Sequence, residues 1–329
     1  MTACSVDSDL DGVLAQTRNL WGDLRGARLF ITGGTGFFGC WILESFFKAN
    51  RELSLGAKAV VLTRDQGSFR KKRPHLSNHP ELSFLAGDVR SFDFPKGGFT
   101  HIIHAATESN APRVFDFAAA CGAKNLLLTS SGAVYGRQPA DMTHIPEDYP
   151  GSVEQNAAKP AYAEDKRSAE LLGAASSARG LEVKIARGFA FVGPYMPFDG
   201  SFAAGNFIRD AVQGRAIEVS GDGTPYRSYL YAADLAIWLW TILLRGKSLR
   251  PYNVGSEKRV AIAELADAVK SAVNPNLAVH IAQKPRAGAP PEQYVPSTQR
   301  AREELGLRQT VDLPEAVRRT AKWLEKSNA

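Results

Sequence analysis

Apolar and polar positions follow two rhythms along this chain. In the first half and a little beyond, short, mostly apolar runs recur at Arg28–Thr32, Ala59–Thr63, Leu82–Ala86, His101–Ala106, Asn125–Ser130 and Val183–Ala186. Runs of this length, bounded by turn residues, read as buried strands. Helical spacing lies between them, at Gly39–Ala49, at Pro112–Gly122 and from about Pro160 onward. Strands apolar on both faces, separated by helices, predict a parallel sheet covered on both sides, an α/β architecture. Before the first strand, Leu10, Val13, Leu14, Thr17, Trp21 and Leu24 recur at helical spacing and predict one amphipathic helix. The rhythm changes after the sixth strand. Loops rich in Gly and Pro (193–205, 221–225, 287–291) separate short helices, among them Ile262–Ala272 and Pro314–Lys326. The most apolar run, Leu235–Leu244, is too short to span a bilayer and reads as a buried helix.

Composition narrows the class without naming a function. The 329 residues suffice for one large domain or two modest ones, and the 44% apolar fraction is ordinary for a globular protein. Lys and Arg number 40 against 34 Asp and Glu, a scattered net charge of +6. The dense cluster Arg70-Lys71-Lys72-Arg73 lies beside a proline and reads as a solvated loop rather than a nucleic-acid patch. Cys4, Cys40 and Cys121 show no metal-ligand spacing and cannot all pair, which suits a reducing cytosol. The N-terminus shows no basic stretch leading into an apolar core, so no signal peptide is expected. A cytoplasmic protein with no nucleic-acid, membrane or metal partner is the expectation.

The first chemistry-bearing motif is Thr32-Gly33-Gly34-Thr35-Gly36-Phe37-Phe38-Gly39, directly after a strand and before a helix. Glycines in that place allow a tight turn, a close approach of backbone to a pyrophosphate, and close helix–strand packing. The helix N-terminus then offers amides and a positive dipole end to phosphates. Phe37-Phe38 stands where an NTPase loop needs Gly-Lys-Ser/Thr, which excludes that class. The second strand ends in Thr63-Arg64. An acidic residue there would bind the ribose hydroxyls of NAD, whereas an arginine can meet the 2′-phosphate of NADP. NADP(H) is therefore favoured, while Asp65, the next residue, keeps NAD(H) open. Asp88-Val89, after the third strand, suits either an adenine contact or a loop cap.

The second constellation is Tyr162 and Lys166, four apart and so on one face of a helix. A phenol with a pKa near 10 becomes a useful proton carrier when an ammonium lies beside it. The pair becomes informative with Ser130-Ser131 at the end of the fifth strand, because ligands in open parallel sheets bind at the carboxyl ends of strands.

Together these residues resemble the extended short-chain dehydrogenases, the NAD-dependent epimerase/dehydratase family, whose members mostly act on nucleotide sugars. The matching elements, in order, are TGGTGFFG (32–39), GDV (87–89), HAA (104–106), SSGAVYG (130–136), YAEDK (162–166), RGFAFVGP (187–194), GDGTPYRSYLYAADLA (221–236) and NVGS (253–256). The resemblance implies a Rossmann-like doubly wound sheet with a smaller C-terminal substrate lobe. It divides the chain into a helical extension (1–26), a dinucleotide-binding domain (27–187, with 228–256 returning to it) and a substrate lobe (188–227 and 257–329). It implies cofactor contacts from Gly33, Thr35, Gly36, Phe37, Phe38, Gly39, Thr63, Arg64, Asp88, Val89, His104, Ala105, Ala106, Tyr162 and Lys166. It makes Ser131 the hydroxyl on the reacting sugar oxygen, Tyr162 the general acid/base and Lys166 its tuning partner. Arg227 would grip a nucleotide-sugar diphosphate, and Asn206 would contact the nucleotide or cap a helix. A homodimer is also implied.

Three departures sharpen the expectation. Sugar dehydratases of the family carry an Asp-Glu pair after the catalytic hydroxyl, where this chain has Gly132 and Ala133. That argues against dehydration and for hydride transfer at C4 alone, as a 4-epimerase or a 4-keto-6-deoxy-sugar reductase. Ala190 stands where many epimerases have a diphosphate-binding asparagine. Between His104 and Ser130 lie 25 residues, a crossover shorter than the family's usual one. Two other readings compete. A cofactor-binding sensor or scaffold would have no use for the tyrosine–lysine pair, and a reductase of an uncharged, non-nucleotide substrate would have no use for Arg227.

Overall fold

Residues 6–107, 111–152, 160–200 and 202–328 are described by the structure, a computed structural model. The chain opens with α1 (Asp7–Thr17) and a 3-10 turn at Trp21–Leu24. Then follow β1 (Arg28–Thr32), α2 (Phe37–Glu52), β2 (Lys58–Thr63), α3 (Gln66–Lys72), α4 (Pro74–Ser77), β3 (Leu82–Ala86), β4 (His101–His104), α5 (Ala111–Cys121), β5 (Asn125–Ser131), α6 (Pro160–Ser177) and β6 (Glu182–Gly188). The second part carries β7 (Phe191–Val192), α7 (Ala203–Val212), β8 (Ile217–Val219), β9 (Tyr226–Arg227), β10 (Leu230–Tyr231), α8 (Ala232–Arg245), β11 (Pro251–Val254), β12 (Val260–Ala261), α9 (Ile262–Val273), β13 (Val279–Ile281), α10 (Gln299–Leu305) and α11 (Leu313–Asn328).

The main sheet has seven parallel strands in the order β11-β6-β5-β4-β1-β2-β3. Alternate residues of each strand feed opposite faces. Leu29, Ile31, Ala59, Val61 and Leu127 face the core made by α2 and α8. Phe30, Val60, Leu62, Leu126 and Leu128 face the core that includes residues of α5 and α6. The chain runs outward from β1 to β2 and β3, then returns across β1 to β4. This order reversal opens a crevice between the carboxyl ends of β1 and β4, the usual ligand place in such sheets.

Three expectations need correction, and one strand adds to the six expected. The N-terminal helix stops at Thr17 instead of continuing through Leu24. The Thr17 hydroxyl donates to Val13 O at 2.6 Å and accepts Trp21 Nε1 at 2.8 Å, so the chain turns and buries Trp21 fully. The basic cluster is not a loop: Asp65 caps α3 by accepting from the Ser68 amide at 2.8 Å, and Arg70, Lys71 and Lys72 form its last turn. The fourth strand ends at His104, because beyond Ala105 the backbone turns away and Ala106 O accepts from Lys166 Nζ at 3.3 Å. The seventh strand, β11, lay in a segment whose apolar run is short, and it pairs with β6 only after the chain has left for the second part and returned. The crossover between β4 and β5 carries an 11-residue helix, α5, close to the expected position. Among the described residues, no helix is long and apolar enough to cross a membrane, and no cluster of His, Cys, Asp and Glu could hold a metal ion.

Candidate active site

The glycine loop links β1 to α2, and each glycine has a distinct steric reason. Gly33 has φ +70°, and a Cβ there would overlap the Ala105 carbonyl and come within 2.6 Å of Ala106 N. A Cβ on Gly39 would overlap the backbone of Gly33 and Gly34, so only glycine lets the first turn of α2 close on the loop. Gly36 is exposed, and a Cβ there meets only Gly33 O, at 3.4 Å. It caps α2 with no side-chain hydrogen bond, so the helix presents its first amides without a competing acceptor from the cap. Thr35 and Phe37 are half-buried at the turn, and Phe38 packs edge-on against Phe191 at 5.0 Å. A helix start without a side-chain cap, over a loop in which three of the four residues at 33–36 are glycine, fits a pyrophosphate, so the residues present suit a nicotinamide dinucleotide.

The far end of the crevice is set by β2 and β3. Thr63 is buried, and its hydroxyl accepts from the Asp65 amide at 3.3 Å. Asp65 is spent on capping α3. Arg64 is 70% exposed and lies 4.0 Å from Asp88. Arg90 holds Asp88 through two bonds of 2.8 and 2.9 Å and is itself well exposed. The Arg90 side chain, its amide and Arg64 together hold the Asp88 carboxyl down at about 2, so it stays ionised. Val89 is half-buried against the core that contains Phe92.

The catalytic candidates come from three segments: α6, the end of β5 and the segment that carries Tyr294. Lys166, on α6, is 2% exposed and donates to Ala106 O at 3.3 Å and Thr129 O at 3.1 Å. Those bonds tie it to the same strand end that backs Gly33. Burial pushes Lys166 down to about 8, against the pull of Asp165. Its Nζ lies 5.7 Å from the centre of the Tyr162 ring, one turn away. Ser131 closes β5; its Oγ accepts from the Ala133 amide at 3.2 Å. Tyr294, which the sequence reading did not single out, joins these groups. Its hydroxyl lies against Gly132, the residue after Ser131, where a Cβ would come within 2.6 Å of it. Burial raises its phenol. The Tyr294 ring packs on Phe189 at 4.6 Å. No local signal marks Tyr294: it follows the Pro-rich 287–291 loop and reaches the site only because its amide bonds Tyr226 O, next to Arg227.

Other expected residues take defined places. Arg227, on β9, pairs with Glu292 at 2.8 Å and is a quarter exposed. His104 is buried, and its ring meets the Thr32 hydroxyl at 2.6 Å, so it braces the strand ends below the loop. Ala105 and Ala106 meet the glycine loop through backbone. Asn206 bonds Gly200 O and Arg209 Nη1 instead of the catalytic groups. It lies in the first turn of α7, donates to Gly200 O at 2.9 Å, and the N-cap is Phe202.

A doubly wound parallel sheet, a glycine loop at the switch point and a Ser–Tyr–Lys cluster beside it define a dinucleotide-binding enzyme of the short-chain dehydrogenase type. The chain belongs to the NAD dependent epimerase/dehydratase family, whose model matches residues 29–255. It is 34% identical over 313 residues to UDP-glucuronic acid decarboxylase 5 of Arabidopsis thaliana, covering 88% of this chain and 87% of that one. It is 28% identical over 319 residues to UDP-glucuronic acid decarboxylase 1 of Danio rerio, covering 91% and 73%. In fold it is similar to epimerase Mth375 from Methanothermobacter thermautotrophicus, with a TM-score of 0.76, 18% identity and coverage of 95% and 96%.

Proposed function

We propose that this enzyme moves hydride at C4 of a nucleoside-diphosphate hexose, as a 4-epimerase or a 4-keto-6-deoxy-sugar reductase, without removing water. The observation that carries the reading is Tyr162 one helical turn from buried Lys166, with the Tyr294 hydroxyl against Gly132 beside Ser131 and no carboxylate on that turn. A side chain at position 132 has no room as the site stands: a Cβ would lie 2.6 Å from the Tyr294 hydroxyl and 2.7 Å from Phe189. A nicotinamide cofactor supplies the hydride acceptor or donor. Lys166 stands one helical turn from Tyr162, its Nζ 5.7 Å from the ring centre. Tyr162 takes or returns the proton at the C4 oxygen, and Ser131 hydrogen-bonds that oxygen. Arg227 meets the diphosphate, exchanging Glu292 for phosphate oxygens.

Two exposed guanidiniums, Arg64 and Arg90, stand at the ends of β2 and β3, and Asp65 is occupied as a helix cap. These features support NADP(H), with its 2′-phosphate between the arginines, over NAD(H).

A second reading is favoured by the relatives named UDP-glucuronic acid decarboxylase. Oxidation at C4 of a uronic acid sugar gives a β-keto acid, which loses CO2 as the ketone accepts the electron pair. That step needs the same C4 machinery and no further base. Incubation with UDP-glucuronate, UDP-glucose and a 4-keto-6-deoxy sugar separates the readings: released CO2 selects decarboxylation, and a C4 epimer or alcohol selects the first. Tyr162→Phe should cost at least a hundredfold in turnover with the fold intact, on the scale of a lost general acid/base. Unchanged turnover in that variant would remove both readings.

A further inference from the structure

Ser130, the neighbour of Ser131, opens onto a buried polar chain that the hydride step does not use. Ser130 Oγ donates to Glu170 Oε1 at 2.5 Å. Arg187 grips the same carboxylate with both arms, Nε to Oε1 at 3.0 Å and Nη2 to Oε2 at 2.6 Å. Arg187 Nη1 continues to the Tyr135 hydroxyl at 2.8 Å and to Glu147 O at 3.2 Å. Tyr135 donates to Asn253 Oδ1 at 2.8 Å, and Asn253 Nδ2 donates to Ser297 O at 3.0 Å. The chain thus runs from α6, past the ends of β5, β6 and β11, to the segment three residues beyond Tyr294.

Tyr162, Lys166 and Glu170 are spaced by four and share one stripe of α6. Two successive turns of that helix are therefore pinned to strand ends, Lys166 to Ala106 O and Thr129 O, and Glu170 to Ser130 and Arg187. Stability alone is a weak reason for this pair. A buried ion pair, here 14% and 13% exposed, is often matched or bettered by apolar residues of equal volume. What an apolar pair lacks is direction. A two-armed guanidinium–carboxylate contact fixes rotation and rise together.

We propose that Glu170 and Arg187 are positioning residues that set the rotation and rise of α6, holding Tyr162 in register with Ser131 at the end of β5. This rests on Tyr162 being the proton carrier. The deciding variant is Glu170→Leu/Arg187→Met, which fills the volume and leaves no lone charge. Its melting curve and circular dichroism should stay near wild type, while kcat falls on the order of tenfold to a hundredfold, the effect of a small misplacement of a reacting group. KM and cofactor affinity should hold. Hydrogen exchange at α6 amides 162–170 should quicken. The alkaline limb of kcat should move up as water reaches Lys166, which otherwise faces Tyr162, Asp165 and backbone oxygens. Ser130→Ala, which keeps the ion pair, should give a smaller loss of the same kind. Wild-type kcat and wild-type exchange in the double variant overturn the proposal; if that variant does not fold, the same result in Ser130→Ala does so. Tyr162→Phe run alongside separates the failures: if it keeps turnover, the proton-carrier reading falls, and exchange in α6 alone decides whether the anchor exists.

Discussion

Lys166 shows how one side chain can carry both a cost and a function. Its ammonium is buried and titrates at about 8, below the usual lysine value. Because the folded value is depressed, the protonated lysine opposes folding. That penalty is full below pH 8 and fades as pH rises toward the unfolded value of about 10.4. Wild type should therefore gain on Lys166→Met by up to about 3 kcal/mol between pH 8 and 10.5, measured by denaturant titration. Turnover should be lost in the variant, and wild-type kcat should fall above pH 8; a flat profile to pH 10 would show that the ammonium is not needed. At the other end of the crevice, Arg64→Asp should reverse the cofactor preference, because it places a carboxylate at the ribose hydroxyls and removes one of two guanidiniums. Loss of NADP affinity should reach about tenfold or more, the scale of one charge-assisted bond to phosphate. Equal NADP affinity in wild type and variant, read by fluorescence titration, would refute the role.

Among the elements, α1 is the one the dinucleotide fold does not require, yet it is built into the core. Leu10, Val13, Leu14 and Trp21 are each at most 8% exposed and belong to the cluster that includes α2 and α8. Asp9 accepts from the Tyr231 hydroxyl at 2.6 Å and pairs with Arg319 at 2.6 Å, so α1 also ties β10 to α11. Burying each of those side chains is worth about 1.5–3 kcal/mol, and domains commonly have only about 5–15 kcal/mol in all. A chain beginning at residue 27 should thus lose its cooperative melt; a midpoint within a few degrees of wild type would show α1 to be dispensable. The break at Thr17 was not legible because helical spacing continues through Trp21 and Leu24. A hydroxyl bonded back to Val13 and forward to the Trp21 indole overrides it, a choice that depends on what Trp21 packs against. The six strands were legible because their apolar runs face two cores at once. The seventh was not, because β11 borrows its edge from β6, more than sixty residues earlier in the chain.

At the scale of the whole molecule, the proposed function gives cofactor and nucleoside diphosphate separate places on one body. Cofactor and nucleoside diphosphate should therefore each raise the melting temperature. A ligand at a hundred times its Kd stabilises by about 2.7 kcal/mol, roughly 4 °C for a chain of 329 residues. NADP should exceed NAD, and at least one of UDP, dTDP, CDP and GDP should add to the shift. No response to any nucleoside diphosphate would detach Arg227 from diphosphate binding.

The glycine loop, the Tyr162–Lys166 spacing and Ser131 were fixed by sequence alone, because each does its work locally: a turn needs φ +70° at Gly33, and a helix brings every fourth residue to one side. What only tertiary structure decided is which groups meet across the chain. It spent Asp65 on a helix cap, brought the Tyr294 hydroxyl against Gly132, and paired Glu170 of the catalytic helix with Arg187. Those contacts depend on strand order and on the path of returning segments, and neither is written in the spacing of neighbouring residues.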